Sequence, residues 1–201
     1  MLFRSVEESS FVVSSIDLKG NWVKLGFDGN GHGTHVAGIL GANGRLSGTA
    51  PGAQIIVIKA LGSAGDGNWD DIAKAVEYAG KQGAHIINIS IGNMASSREE
   101  QKAQLNLFKK ISLQSNALIV VAAGNQGPGL ATAYNAGNNE SVITVGAYMS
   151  EALWNINYNA QVPGETLWFY SRMGPQDDGS MAPSVVAPST VISTVNRWDS
   201  G

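Results

Sequence analysis

The chain of 201 residues is 43% hydrophobic and 14% charged, and it has 25 glycines, no cysteine and a net charge of −3. This composition excludes global disorder, a disulfide framework, a thiolate zinc site and a cysteine nucleophile. The slight negative charge provides no polycationic face, so we expect no nucleic-acid partner. The longest purely apolar run, residues 117–123, is far shorter than the roughly 20 residues of a membrane-spanning helix, and we expect no membrane partner. We expect one domain over residues 1–201.

Short apolar runs alternate with helical patterns through the middle of the chain. Buried strands are predicted at residues 54–59, 85–89 and 117–123. Helices are predicted at residues 69–82 and 97–114. After residue 114 the pattern predicts short strands, such as 142–145 and 185–187, and no further helix. This alternation with short links predicts an α/β fold with a parallel sheet.

Each predicted helix has an apolar face. In the first, Asn68 can cap the start, and the inner face is formed by Ile72, Ala75, Val76 and Ala79. In the second, the predicted inner face is Ala103, Leu107 and Ile111. Ligands of parallel sheets bind beyond the carboxyl ends of the strands, which predicts a site at the loops 62–68, 90–93 and 124–129.

The segment GNGHGTHVAG at residues 29–38 carries the most specific chemical signal. Its glycines let backbone approach closely around His32, which stands where an apolar helix begins. A phosphate loop fits poorly because the segment lacks a lysine and the usual preceding strand. A metal site also fits poorly, since His32 and His35 are three residues apart with no third ligand nearby. A general base needs only an accessible imidazole on a rigid element.

Asn125 follows the predicted strand 117–123 and is flanked by glycines at close range. An amide in this position can donate to an oxygen that becomes negative during acyl transfer, an interaction worth about 3–4 kcal/mol. The alternative is an Asn-Gly-type turn that stabilises itself, and this segment alone favours the turn.

Together, these segments resemble the subtilisin-like serine proteases, the subtilases. HGTHVAG at residues 32–38 is similar to the family's histidine signature, and AGN at residues 123–125 to its oxyanion asparagine. TAPGA at 49–53 and NISIG at 88–92 match its intervening blocks. The resemblance runs from about residue 27 to residue 195. It implies an α/β three-layer sandwich with helices on both faces of a mainly parallel sheet, here incomplete, and a serine-type peptidase acting on peptides or proteins.

The resemblance implies a role for each matching residue. His32 would be the general base and Asn125 the oxyanion donor. An extended substrate would add as a strand to two backbone edges, formed by Gly65, Asp66 and Gly67 and by Ser90, Ile91 and Gly92. Trp69 is expected either to wall a substrate pocket or to pack at a helix start. We expect His35 to be a buried structural residue and His85 a core or edge residue.

Two members of the family's triad have no clear counterpart. The aspartate motif, Asp followed by Thr or Ser and then Gly, is absent before His32, and neither Asp17 nor Asp28 fits it. The serine motif Gly-Thr-Ser-Met-Ala is also absent. Ser180, in GSMAP, is interpreted as a decoy because the residues that follow, starting at Pro183, indicate strand and turn rather than a helix. We therefore expect a chain truncated at both ends and inactive alone.

Finer assignments rest on fewer residues. VITVGAY at 142–148, with Tyr158 and the spacer before Ser171, resembles the tripeptidyl-peptidase II branch. The loop 41–48 offers one amide or carboxyl side-chain oxygen, that of Asn43, so neither calcium nor another cofactor is predicted. Two other functions stay open: a non-catalytic peptide-binding module of the same fold, and a nucleotide-binding module. The preserved His32 and Asn125 disfavour the former, and the missing lysine disfavours the latter. The sequence predicts neither compartment nor oligomeric state.

Overall fold

The computed structural model describes residues 2–4, 12–13, 15–16, 22–23, 28–92, 97–129, 141–175 and 181–194. Two compact units alternate along the chain. Unit 1 comprises Met1–Asn88, Lys110–Ile119 and Ile192–Gly201, and unit 2 comprises Ile89–Lys109 and Val120–Val191. The single domain over residues 1–201 stays a prediction. Within the described ranges, no helix has the length and apolar character needed to cross a membrane.

The regular elements follow the predicted alternation. The helices are α1 (His32–Gly41), α2 (Trp69–Lys81), α3 (Arg98–Ser115) and α4 (Glu151–Tyr158). The strands are β1 (Leu2–Arg4), β2 (Val12–Val13), β3 (Ser15–Ile16), β4 (Trp22–Val23), β5 (Gln54–Val57), β6 (Ile86–Ile89), β7 (Leu118–Ala122), β8 (Val142–Met149), β9 (Thr166–Leu167) and β10 (Val185–Pro188). Each predicted element from residue 54 to residue 123 is therefore present, with ends shifted by at most two residues.

In unit 1, strand pairing centres on β1. This strand lies between β5 and β6 and is antiparallel to both, with Phe3 opposite Ile55 and Ile86. The short strand β2 is parallel to β5, and β3 pairs with β4 in antiparallel orientation. Helix α2 forms as predicted, since the Asn68 side chain accepts a hydrogen bond of 2.9 Å from the Asp71 amide. Its buried face is the predicted one, Ile72, Ala75, Val76 and Ala79.

The predicted inner face of α3 is partly wrong. Gln104 and Phe108 are fully buried and Ile111 is nearly so, whereas Ala103 is exposed and Leu107 is half-buried. Buried positions separated by four and then three residues form one stripe of a helix. The polar side chain of Gln104 lies in that stripe, so a pattern based on apolar residues selects the neighbouring positions instead.

Unit 2 is organised around β8. This strand is twice as long as the one predicted at residues 142–145; β10 pairs with it in parallel, and β9 in antiparallel orientation. The Ala123 amide, directly after β7, donates to the Val145 carbonyl at 2.8 Å. Helices combined with parallel and antiparallel strand pairs confirm the predicted α/β class.

Helix α4 overturns the prediction that no helix follows residue 114. The Ser150 hydroxyl accepts from the Leu153 amide at 3.3 Å and caps the start, and Asn159 ends the helix in a left-handed conformation with φ of 49°. No residue of α4 is buried. The helix therefore has apolar residues but no buried face, although both of its end signals are present in the sequence.

Candidate active site

His32 is the first residue of α1, and its side chain is exposed. The preceding Gly31 has a left-handed φ of 92°, which a residue with a Cβ rarely adopts. The His32 amide donates to the Asn30 side-chain oxygen at 3.3 Å, and the His35 amide donates to the Gly31 carbonyl at 3.0 Å. An accessible imidazole at a fixed helix start has what a general base requires.

Asp28 holds the turn that precedes His32. One carboxylate oxygen accepts from the amides of Asn30 at 3.1 Å and Gly31 at 3.0 Å. The other accepts from the Thr34 amide at 2.7 Å and from the Thr34 hydroxyl at 2.8 Å. Burial raises the pKa of this carboxyl, but the hydrogen bonds favour its charged form more strongly and hold the pKa below its ordinary value of 3.8.

Asp28 is a positioning residue that the sequence analysis left without a role. An acid ahead of a glycine-rich turn and a helix start was a usable signal, because carboxylates stabilise the positive end of a helix. The bond to Thr34 spans six residues, however. Helix-capping patterns place the side chain three residues before the amide it binds, so they do not find this one.

One predicted peptide-binding edge is tied to the His32 turn within unit 1. The Asn30 side-chain amide donates to the Ser63 carbonyl at 2.9 Å. The edge is a tight turn in which the Gly62 amide donates to the Asp66 carbonyl at 2.7 Å. Its three predicted binding residues, Gly65, Asp66 and Gly67, are exposed. A hydrogen bond therefore connects the loop before the predicted base with one predicted edge.

Residues 193–194 brace α1 from the far end of the sequence. The Ser193 hydroxyl donates to the His35 carbonyl at 2.6 Å, and the Thr194 hydroxyl donates to the Thr34 carbonyl at 2.8 Å. Residues 193–194 can lie this close to α1 only because position 38 is a glycine. A Cβ on Gly38 would lie 2.8 Å from the Thr194 amide nitrogen and closer still to both hydroxyl oxygens.

Two predictions for other side chains in unit 1 need correction. His35 is half-buried rather than buried, because Gly38 is the residue of α1 that the surrounding chain covers. His85 is exposed, so the prediction of a core residue is wrong and that of an edge residue stays open; β6 begins one residue later, at Ile86. Trp69 is half-buried as the first residue of α2, which leaves both of its predicted roles open.

In unit 2, Asn125 lies in the loop after β7, and its side chain is exposed. Gly124 has φ of 105°, so the chain turns immediately before Asn125. The backbone amide of Asn125 donates to the Gln126 side-chain oxygen at 3.1 Å. The side chain of Gln126, which the sequence analysis did not consider, therefore stabilises this turn.

A second segment of unit 2 runs beside the Asn125 loop. The Gly127 amide donates to the Tyr170 carbonyl at 2.9 Å, and the Arg172 amide donates to the Gly124 carbonyl at 3.1 Å. Between these bonds, the Ser171 hydroxyl accepts from the Ala147 amide of β8 at 3.0 Å. The loop is thus held on a strand of the sheet through residues 170–172.

The other predicted peptide-binding edge, Ser90, Ile91 and Gly92, follows β6 in unit 2 and is half-buried. A Cβ at Gly92 would meet no atom within 4 Å, so the backbone is open there. Asp17, Ser180 and the last residue of the predicted loop 90–93, Asn93, lie outside the described residues. Within the described ranges, no group of three or more His, Asp or Glu residues is arranged to hold a metal ion.

A family model, that of the subtilases or peptidase S8 family, matches residues 8–200. The chain belongs to the subtilase family. This match confirms the resemblance carried by the histidine and asparagine motifs.

The chain spans less than half of the length of each subtilase relative that it matches below. It is 29% identical to pyrolysin of Pyrococcus furiosus, over 96% of this chain and 17% of pyrolysin. It is 32% identical to tripeptidyl-peptidase 2 of Oryza sativa subsp. japonica, over 98% of this chain and 15% of that protein. It is 40% identical to subtilisin Savinase of Lederbergia lenta, over 51% of this chain and 37% of Savinase.

Solved structures show the same fold. The S41 psychrophilic protease matches 92% of this chain with a TM-score of 0.71 and 28% identity, and this chain covers 62% of it. Sphericase matches 96% with a TM-score of 0.66 and 28% identity, and this chain covers 66% of it. The predicted subtilisin-like α/β fold is confirmed.

Proposed function

We propose that this subtilase chain carries part of the machinery of a serine-type peptidase, with His32 as general base and Asn125 as oxyanion donor. The observation that supports this most is the exposed imidazole of His32 at the start of α1, behind a turn that Asp28 holds with four hydrogen bonds. His32 would accept the proton of an attacking serine hydroxyl. The Asn125 amide would donate to the oxygen that becomes negative.

Peptide or protein substrates are proposed to bind in extended form. Gly65, Asp66 and Gly67 are exposed residues, and Ser90, Ile91 and Gly92 follow a strand end. An extended peptide can hydrogen-bond to such edges as an added strand, and its alternate side chains then meet pockets that set specificity.

We further propose that the 201-residue chain does not hydrolyse peptides on its own. Its sequence has no aspartate motif before His32 and no Gly-Thr-Ser-Met-Ala motif. A triad that lacks partners retains only the weak catalysis that binding and the oxyanion donor supply.

The first experiment treats the purified chain with a serine-reactive fluorophosphonate and measures its intact mass, followed by peptide mapping. We expect no adduct. An adduct on Ser180 that disappears in His32→Ala would show a working nucleophile and overturn the proposed inactivity.

A second experiment tests the peptide site without requiring turnover. N-acetyl-tetraalanine amide is titrated into ¹⁵N-labelled chain, and amide shifts are followed by NMR. We expect saturable shifts at residues 65–67 and 90–92. Shifts confined to other residues would contradict the proposed function. If the peptide binds at residues 65–67 and 90–92 but a longer form of the chain does not hydrolyse peptides either, the non-catalytic peptide-binding module would be favoured.

A further inference from the structure

Arg172 packs against the residue directly before Asn125. The arginine is only 4% exposed. Its Cδ lies 2.8 Å, and its Nε 3.1 Å, from the position that a Cβ would take on Gly124. Its backbone amide also donates to the Gly124 carbonyl at 3.1 Å. Side chain and backbone of Arg172 thus both contact the turn that presents Asn125.

The turn is enclosed from a second direction. The Gln126 side-chain oxygen lies 3.2 Å from the same Cβ position on Gly124, and it accepts a hydrogen bond of 3.1 Å from the backbone amide of Asn125. Gly124, with its φ of 105°, is therefore held between the side chains of Arg172 and Gln126. This packing restricts the backbone from which the Asn125 side-chain amide projects.

The guanidinium also brings a permanent charge to this turn. Arginine stays protonated at every pH at which proteins fold, and its field is stronger in a poorly hydrated position than in water. A positive charge close to a hydrogen-bond donor increases the stabilisation of an anionic oxygen bound by that donor. Nothing in the family's histidine or asparagine motifs specifies a cation at this position.

We propose that Arg172 is a positioning residue for the oxyanion donor, and that its charge raises the affinity of the Asn125 turn for an anionic oxygen. The side chain holds Gly124 in place, and the guanidinium acts through the field at Asn125. This inference deepens the proposed function and rests on it, because it assumes that Asn125 binds the oxygen that becomes negative.

Acetate is the probe that tests this role, since it presents an anionic oxygen and needs neither a nucleophile nor a peptide site. Sodium acetate is titrated into the ¹⁵N-labelled chain at constant ionic strength, and the Asn125 side-chain amide signals are followed. The variants are Arg172→Met, Arg172→Gln and Arg172→Lys. Lys102→Met is the matched control, because it removes one positive charge from an exposed position on α3.

We expect saturable acetate binding that weakens about tenfold or more in the two neutral variants and is largely retained in Arg172→Lys. Lys102→Met should bind acetate as the unmodified chain does. Two neutral variants allow the test to proceed if one of them fails to fold. A purely structural arginine would give equal losses in Arg172→Lys and Arg172→Met.

Three results would overturn the inference: no saturable shift at Asn125 in the unmodified chain, unchanged affinity in the folded neutral variants, or no rescue by lysine. The neutral peptide titration described above reports separately on residues 65–67 and 90–92. Failure of that titration, or the absence of an acetate shift at Asn125 in the unmodified chain, counts against the proposed function. Acetate binding that is unchanged in the folded neutral variants, or not rescued by lysine, counts against the role of Arg172 alone.

Discussion

Thr34 donates two hydrogen bonds to a single carboxylate oxygen of Asp28, from its amide at 2.7 Å and from its hydroxyl at 2.8 Å. Asp28 precedes the turn and Thr34 lies in the first turn of α1, so this pair closes the segment that contains His32. The rigidity of the segment that carries the proposed base therefore depends on a residue that precedes the helix.

Asp28→Asn should lower the free energy of unfolding by about 1–2 kcal/mol, because an amide cannot accept hydrogen bonds at both of its polar atoms. Urea denaturation followed by tryptophan fluorescence measures the change. The control Glu165→Gln removes one charge from an exposed loop, where a change within about 0.5 kcal/mol is expected. Equal unfolding midpoints for the two variants would contradict the role of Asp28.

The same carboxylate predicts a pH dependence of stability. The pKa of Asp28 is lower in the folded chain than its ordinary value of 3.8, so the unfolded state binds the proton more tightly. This contribution is fully present above pH 3.8 and is lost as the pH falls through the lower pKa of the folded state. Unfolding midpoints between pH 6 and pH 2.5 should therefore fall less steeply in Asp28→Asn than in the unmodified chain. If the unfolding midpoints of both proteins fell with pH at the same rate, Asp28 would not be the source of the pH dependence.

Gly38→Ala should separate α1 from residues 193–194. The added Cβ would overlap the Ser193 and Thr194 hydroxyls, and overpacking of this kind costs about 1–3 kcal/mol. Gly44→Ala is the matched control, since a Cβ there meets no atom within 4 Å. We expect the control to be neutral or stabilised by less than about 1 kcal/mol. Thermal unfolding compares the two, and a stable Gly38→Ala variant would disprove the close approach.

Asn30→Asp should loosen the edge at residues 65–67, because it removes the donor of the 2.9 Å hydrogen bond to the Ser63 carbonyl and keeps an oxygen that can accept from the His32 amide. We expect faster amide hydrogen exchange at residues 62–67 and a several-fold loss in affinity for N-acetyl-tetraalanine amide. Ser63→Ala is an exact control for the bond, since the acceptor is the backbone oxygen and the substitution leaves it in place. The prediction fails if both variants exchange and bind alike.

Local sequence patterns predicted α2 well and α4 not at all. The face of α2 is apolar at each buried position, and its cap lies three residues from the amide it binds. The buried stripe of α3 contains Gln104, and α4 buries no residue. Periodicity indicates a helix only where burial and apolar character coincide. The face of α3 was mispredicted because one buried residue is polar, and α4 was missed because its apolar residues are not buried.

The sequence by itself determined the α/β class, the subtilase resemblance and the candidate residues His32 and Asn125. Periodic apolar residues and short glycine-rich motifs are local properties of the chain and can be found without the structure. Only the tertiary structure decided what holds those residues. Ser193 reaches a carbonyl 158 positions earlier in the chain, and the side chain of Arg172 reaches Gly124. Contacts at such separations depend on how the whole chain packs. No spacing in the sequence identifies the partner of a polar side chain of this kind. The supports of the site therefore appear only once the chain is folded.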